Sequence, residues 1–138
     1  PYQVYEASMI GADCILIILK SSNDELVLNL YDAAMECGLD CIIEVHDEDE
    51  MERAIKFENA IIGINNRNLK SFETDLKTTV NICKTFNLGE KTLICESGIN
   101  NKEDINYIFE KTKISNFLVG ESLIRSPSIY DKMKELIA

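Results

Sequence analysis

Short apolar runs recur along the chain, at Cys14 to Leu19, Cys41 to Val45, Ile61 to Ile64, Thr92 to Cys95 and Asn116 to Val119. They are continuous rather than alternating, which is how parallel strands read when both faces are covered. A polar break follows each run, and then a stretch with helical apolar spacing. Residues 2 to 10 predict a helix ahead of the first strand. Helix starts are predicted at Ser22 with Glu25, at Asp47 with Glu50 and at Asn100 with Glu103, each pairing a cap with a carboxylate three residues on. Ser126-Pro127 predicts a cap followed by proline at the first helical position. Gly11, Gly38 and Gly89 mark helix ends. The predicted order is a helix and then βα units in succession, an α/β class. A doubly wound open sheet and a (β/α)8 barrel both fit that order.

The polar residues that end the runs carry the candidate chemistry. The second run ends in Glu44-Val45-His46, the third in Asn65-Asn66-Arg67, the fourth in Glu96-Ser97-Gly98 and the fifth in Gly120-Glu121-Ser122. All fall at the C-terminal ends of their strands, the ligand edge of α/β barrels and open sheets alike. The expectation is that these groups share one mouth. Each has a plainer reading too. Glu44 suits a surface ion pair, the two asparagines suit a turn, and Ser97-Gly98 suits an ordinary strand-to-helix connection. His46 suits a local cap, although its near-neutral pKa keeps it in view. Gly98 and Gly120 each precede a predicted helix, where a phosphate could approach the backbone. In that role Glu121 would turn its side chain away and offer only its amide.

Composition narrows the field. The chain has 138 residues with 46% hydrophobic content, enough for a single domain over 1–138 with a sizeable core. No apolar run approaches the roughly 20 residues of a membrane span, and no basic-then-apolar leader opens the sequence. A formal net charge of −10 disfavours nucleic acid and anionic membrane surfaces. It does not disfavour a small anionic substrate, which responds to local groups. Five cysteines, an odd number with no C-x-x-C pair, point to reduced thiols and a cytoplasmic location. One histidine and no ligand spacing give no metal site.

The segments GADCILIIL, IIEVHDEDE, IIGINNRNLKSFETDL, ICESGINNKEDI and FLVGESLIR, in this order and spacing, resemble the indole-3-glycerol-phosphate synthase family. GINNRNL and ESGI together are its most specific part. The resemblance runs over essentially the whole chain. It implies a TIM (β/α)8 barrel, here its C-terminal five-eighths: five βα units equivalent to strands four to eight, preceded by a helix. It implies a carbon–carbon lyase of tryptophan biosynthesis, which closes the indole ring of a carboxyphenylamino-deoxyribulose 5-phosphate with loss of carbon dioxide and water. By motif, Glu44 takes the place of a catalytic acid–base carboxylate and Asn65 that of an active-site amide, with Arg67 its guanidinium neighbour. Glu96 and Ser97 match the pair that orients the substrate. Gly98, Gly120 and the backbone of Glu121 match the phosphate cradle. No organic cofactor or metal is implied.

The departures from the family shape further expectations. Matched to it, Pro1 falls just after the third strand. The family's general-acid lysine lies upstream of that point, and Lys20 does not match it. A general acid contributes about 10²–10⁴-fold, so residues 1–138 alone are expected to have negligible synthase activity. Five strands cannot close an eight-stranded barrel. Self-association, or an upstream segment, is expected to cover the apolar edges at 14–19 and 116–119. A non-catalytic phosphate-binding module is the alternative from another class. Phosphoribosylanthranilate isomerase is the alternative within the phosphate-binding barrels, disfavoured by NNRNL followed by ESGI.

Overall fold

A computed structural model describes residues 1–138. The chain is α/β, with five parallel strands in sequence order and helices between them, the arrangement of part of a (β/α)8 barrel. It groups into two compact units: Pro1–Gly63 with Gly89–Thr92, and Ile64–Leu88 with Leu93–Ala138. No helix is long and apolar enough to cross a membrane.

The first unit starts with α1 (Tyr2–Met9), β1 (Cys14–Ile18) and a 3-10 turn over Leu19–Ser21. It continues through α2 (Asp24–Glu36), β2 (Asp40–Val45) and α3 (Glu48–Ala54) to the start of β3 (Ile61–Asn65). β1 and β2 pair in parallel from Cys14 opposite Asp40 to Ile18 opposite Glu44. Cys41, Ile43 and Val45 are fully buried on one face of β2, while on the other Asp40 is exposed, Ile42 half-buried and Glu44 buried. The α1–α2 layer closes around Val4, Ala33, Ala34 and Leu39, with Ile15, Leu30 and Cys37 packed against them. Gly11 and Gly38 follow their helices with φ of +88° and +69°, the left-handed geometry expected at those ends.

The second unit holds the end of β3, then α4 (Lys77–Thr85), β4 (Leu93–Glu96), α5 (Lys102–Thr112), β5 (Phe117–Leu118), α6 (Glu121–Ile124) and α7 (Ile129–Ile137). β4 and β5 pair in parallel, Cys95 opposite Phe117 and Glu96 opposite Leu118. Its core includes Ile64, Val80, Ile82, Cys95, Ile108 and Leu136.

Several local expectations shift. Asn23, not Ser22, caps α2, its side chain accepting from Leu26 N at 2.9 Å. The capping box of α5 belongs to Asn101 and Asp104, one residue past Asn100 and Glu103. Ser128, not Ser126, caps α7, so Pro127 lies outside the helix. In each case two eligible caps stand in or near tandem, and the trajectory of the chain selects the later one. Asp47 does cap α3, but the Glu50 side chain reaches His46 rather than closing a box on Asp47. α4 ends at Thr85 with an extended Phe86, short of Gly89. α5 ends on Lys113, a non-glycine residue at φ +66°. The expected long apolar edge at 116–119 is only two residues of strand.

Candidate functional site

In the second unit the chain leaves β3 through a closed loop. Arg67 bridges Thr74, Asn68 N donates to Glu73 O at 2.8 Å, and Asp75 N donates to Asn66 O at 3.0 Å. Asn65 is buried, and its Oδ1 accepts from Arg67 N at 3.0 Å, setting the turn that aims Arg67.

Asn66 ties this turn to the end of β4. Its Nδ2 donates to Glu96 O at 3.0 Å, Ser97 O at 3.1 Å and Cys95 Sγ at 3.2 Å. Its Oδ1 accepts from Thr79 N at 3.1 Å and Thr79 Oγ1 at 2.8 Å. Asn66 and Thr79 are both buried, and this amide is the structural member of the Asn65–Asn66 pair. Asn66 was expected at the strand-end mouth or in a turn; its clamping role had no local signal, because its partners lie far along the chain.

With Glu96 O and Ser97 O held this way, Ser97 adopts φ +63° and Gly98 φ +83°. A left-handed serine is strained, and the Asn66 clamp is what over-determines it. A Cβ on Gly98 would meet Thr74 Cβ and Leu76 Cδ2, each at 3.3 Å. A Cβ on Gly120 would meet nothing within 4 Å. Ser122 Oγ donates to Ile99 O at 2.8 Å, tying α6 to the segment after Gly98.

These segments enclose a hollow of about 440 Å³, lined among others by Arg67, Thr74, Ser97, Gly98, Gly120 and Glu121. The Glu121 carboxylate is not turned away. It pairs with Arg67 Nη2 and, at 2.9 Å, with Arg125 Nη2. The Arg67 hydrogen bond and the charge of Arg125 hold the Glu121 carboxyl below its usual range. Glu96 is buried at the end of β4. The structure thus brings Arg67, Ser97, Gly98, Gly120 and Glu121 around one hollow, with Asn65 directly behind Arg67.

Glu44 belongs to the first unit, where a different set of charges surrounds it. His46 Nε2 lies 3.2 Å from Glu44 Oε1, an approach too bent for an aligned hydrogen bond. His46 Nδ1 lies 3.1 Å from Glu50 Oε2. Lys20 Nζ lies 3.2 Å from Glu50 Oε1 and 3.0 Å from Asp47 Oδ2. The Glu44 contact raises the His46 pKa, against the opposing effect of burial and with help from Glu50. The partnership of Lys20 and Glu50 was not foreseen; a lysine just past β1 and an acidic first helical turn were its only signal.

Residues 1–136 match the family model for indole-3-glycerol phosphate synthase. The chain is 42% identical over 138 residues to the indole-3-glycerol phosphate synthase of Polynucleobacter asymbioticus, covering 100% of this chain and 51% of that protein. It is 39% identical over 136 residues to that of Legionella pneumophila, covering 99% of this chain and 52% of that protein. The chain therefore spans about half the length of these relatives. Among solved structures it is similar to the Amycolatopsis orientalis BexX/CysO complex, with a TM-score of 0.67 and 10% identity over 96% of this chain and 55% of that one. It is also similar to a citrate synthase variant, SbnG, with a TM-score of 0.66 and 17% identity over 99% of this chain and 65% of that one. These two likenesses are of fold alone. The match over nearly every residue, together with the motifs at the strand ends, places the chain in the indole-3-glycerol phosphate synthase family.

Proposed function

We propose that residues 1–138 are the C-terminal five-eighths of one (β/α)8 barrel domain and supply the phosphate-binding part and one catalytic carboxylate of an indole-3-glycerol phosphate synthase. The observation that carries this reading is the hollow lined by Arg67, Ser97, Gly98 and Gly120 in a chain of this family. Arg67 offers charge-assisted hydrogen bonds to an anion. The open flank of Gly120 leaves backbone accessible to a phosphate. Glu44 acts as the acid–base carboxylate for condensation and dehydration. Asn65 supports Arg67, and Glu96 and Ser97 orient the polar groups of the substrate. The location is cytoplasmic, in keeping with thiols that are all unpaired.

The test is an NMR titration of the chain with indole-3-glycerol phosphate, and separately with inorganic phosphate. The expected result is saturable shifts at the amides of Ser97, Gly98, Gly120 and Glu121 with both ligands. Shifts confined to other residues, or none at millimolar ligand, overturn the reading.

A further inference from the structure

We propose that His46 is a positioning residue for Glu44, its ring clamped between Glu44 and Glu50 and braced through Glu50 by Lys20. The proposal rests on the reading of Glu44 as the catalytic carboxylate.

The sequence dictates the clamp. Glu44 and His46 are two apart at the end of β2 and so project to the same side. Asp47 then starts α3, its Oδ1 accepting from Glu50 N at 2.9 Å. That turn brings the Glu50 side chain back over the strand end. Glu50 Oε2 accepts from His46 N at 2.8 Å and lies 3.1 Å from His46 Nδ1. One carboxylate oxygen thus holds both the backbone and the ring of His46. With Nδ1 fixed, Nε2 can face only Glu44, at 3.2 Å. The other oxygen, Glu50 Oε1, is held by Lys20. The side chains of Glu44, His46 and Glu50 are 7%, 9% and 6% exposed, so water does little to screen them.

Charge counting gives the state of the ring. A neutral imidazole has one N–H and one lone pair. Here both ring nitrogens face carboxylate oxygens, so a neutral ring would set a lone pair against an anion. The groups facing it in this unit include Glu44 on β2, Asp47 and Glu50 at the start of α3, and Lys20 on the turn after β1. The ring is an imidazolium, and it fixes the orientation of the Glu44 carboxylate. A polar cluster that merely stiffened the β2–α3 turn would need Glu50 but would not couple the ring to Glu44.

His46 is the chain's single histidine, so its ring resonances are unambiguous. A ¹⁵N NMR titration of the full chain is expected to show both ring nitrogens protonated at pH 7 and a midpoint above the ordinary value of about 6.5. Glu44→Gln and Glu50→Gln are each expected to lower that midpoint by on the order of one unit. A neutral tautomer at pH 7 overturns the proposal without any variant. A midpoint that Glu44→Gln leaves unmoved, in a chain whose amide spectrum stays folded, overturns it too. If the coupling is present but Glu44→Gln retains ring closure in the complete enzyme, the clamp stands and the role assigned to Glu44 falls.

Discussion

Thr79 donates twice to one atom of Asn66, through its amide at 3.1 Å and its hydroxyl at 2.8 Å, with both residues buried. The first turn of α4 is thereby fastened to the amide that holds Glu96 O and Ser97 O. Thr79→Val removes the hydroxyl bond and is expected to cost about 1–2 kcal/mol. Asn66→Ala strands several buried partners at once and is expected to cost on the order of 3 kcal/mol. Urea unfolding midpoints measure both. Equal effects for the two variants would mean that the amide is not the hub.

The two glycines of the hollow are expected to respond differently to alanine. At Gly98 a Cβ combines a φ of +83° with contacts at 3.3 Å, for a loss of about 1–2 kcal/mol. At Gly120 the same change meets open space and should stay within about 0.5 kcal/mol. Thermal unfolding of the two variants reads the difference. Phosphate titration of Gly120→Ala then reports on backbone approach alone, free of any stability effect.

Glu121 occupies Arg67 with a carboxylate. Glu121→Gln removes an anion from the hollow and is expected to tighten inorganic phosphate binding by roughly 3–10-fold. Arg67→Met is expected to weaken it by at least as much. Isothermal titration at low ionic strength shows the two shifts in opposite directions, and phosphate affinity unchanged in both variants would place the anion elsewhere.

The raised pKa of His46 fixes the sign of a pH effect on stability. Its contribution is complete below the unfolded value of about 6.5 and is lost as pH rises through the higher folded value. The lowered carboxyls of Asp47 and Glu121 act the other way, losing their contribution as pH falls. The melting temperature is therefore expected to decline from pH 6.5 upward in the parent chain. In His46→Gln that decline should flatten.

Burial raises the thiol pKa of Cys41 to about 12 and that of Cys83 to about 11. At pH 8 the thiolate fraction of Cys41 is then about 10⁻⁴. Both should resist a disulfide reagent in the native state and react promptly in urea. Native-state labelling followed by peptide mass spectrometry identifies which thiols react.

Much of the fold was legible because a continuous apolar run needs no partner to be recognised as a strand, even where one face stays open, as at Leu16 and Leu118. β1, β2 and β3 fall within a residue of the runs at 14, 41 and 61. Cap positions were less legible. Ser22 and Asn23 are both eligible, as are Asn100 and Asn101, and only tertiary geometry chooses between them. The hollow was legible as a set of strand-end residues, whereas its internal pairing was not. Glu121 sits 54 residues from Arg67, and no local pattern announces that a glutamate at a helix start will cross to a guanidinium. His46 and Glu50 were in reach, since four residues separate them across a helix start, but spacing alone does not show that the ring also meets Glu44.

The Arg67–Glu121 pair has a consequence for how any guest enters. The guanidinium is paired with a carboxylate, which avoids the desolvation of an isolated cation. A phosphate bound as proposed would swap places with a tethered glutamate, and affinity would be the difference between two anions competing for one seat. Such a cleft favours a doubly charged visitor over a singly charged one, because only the former outbids the resident.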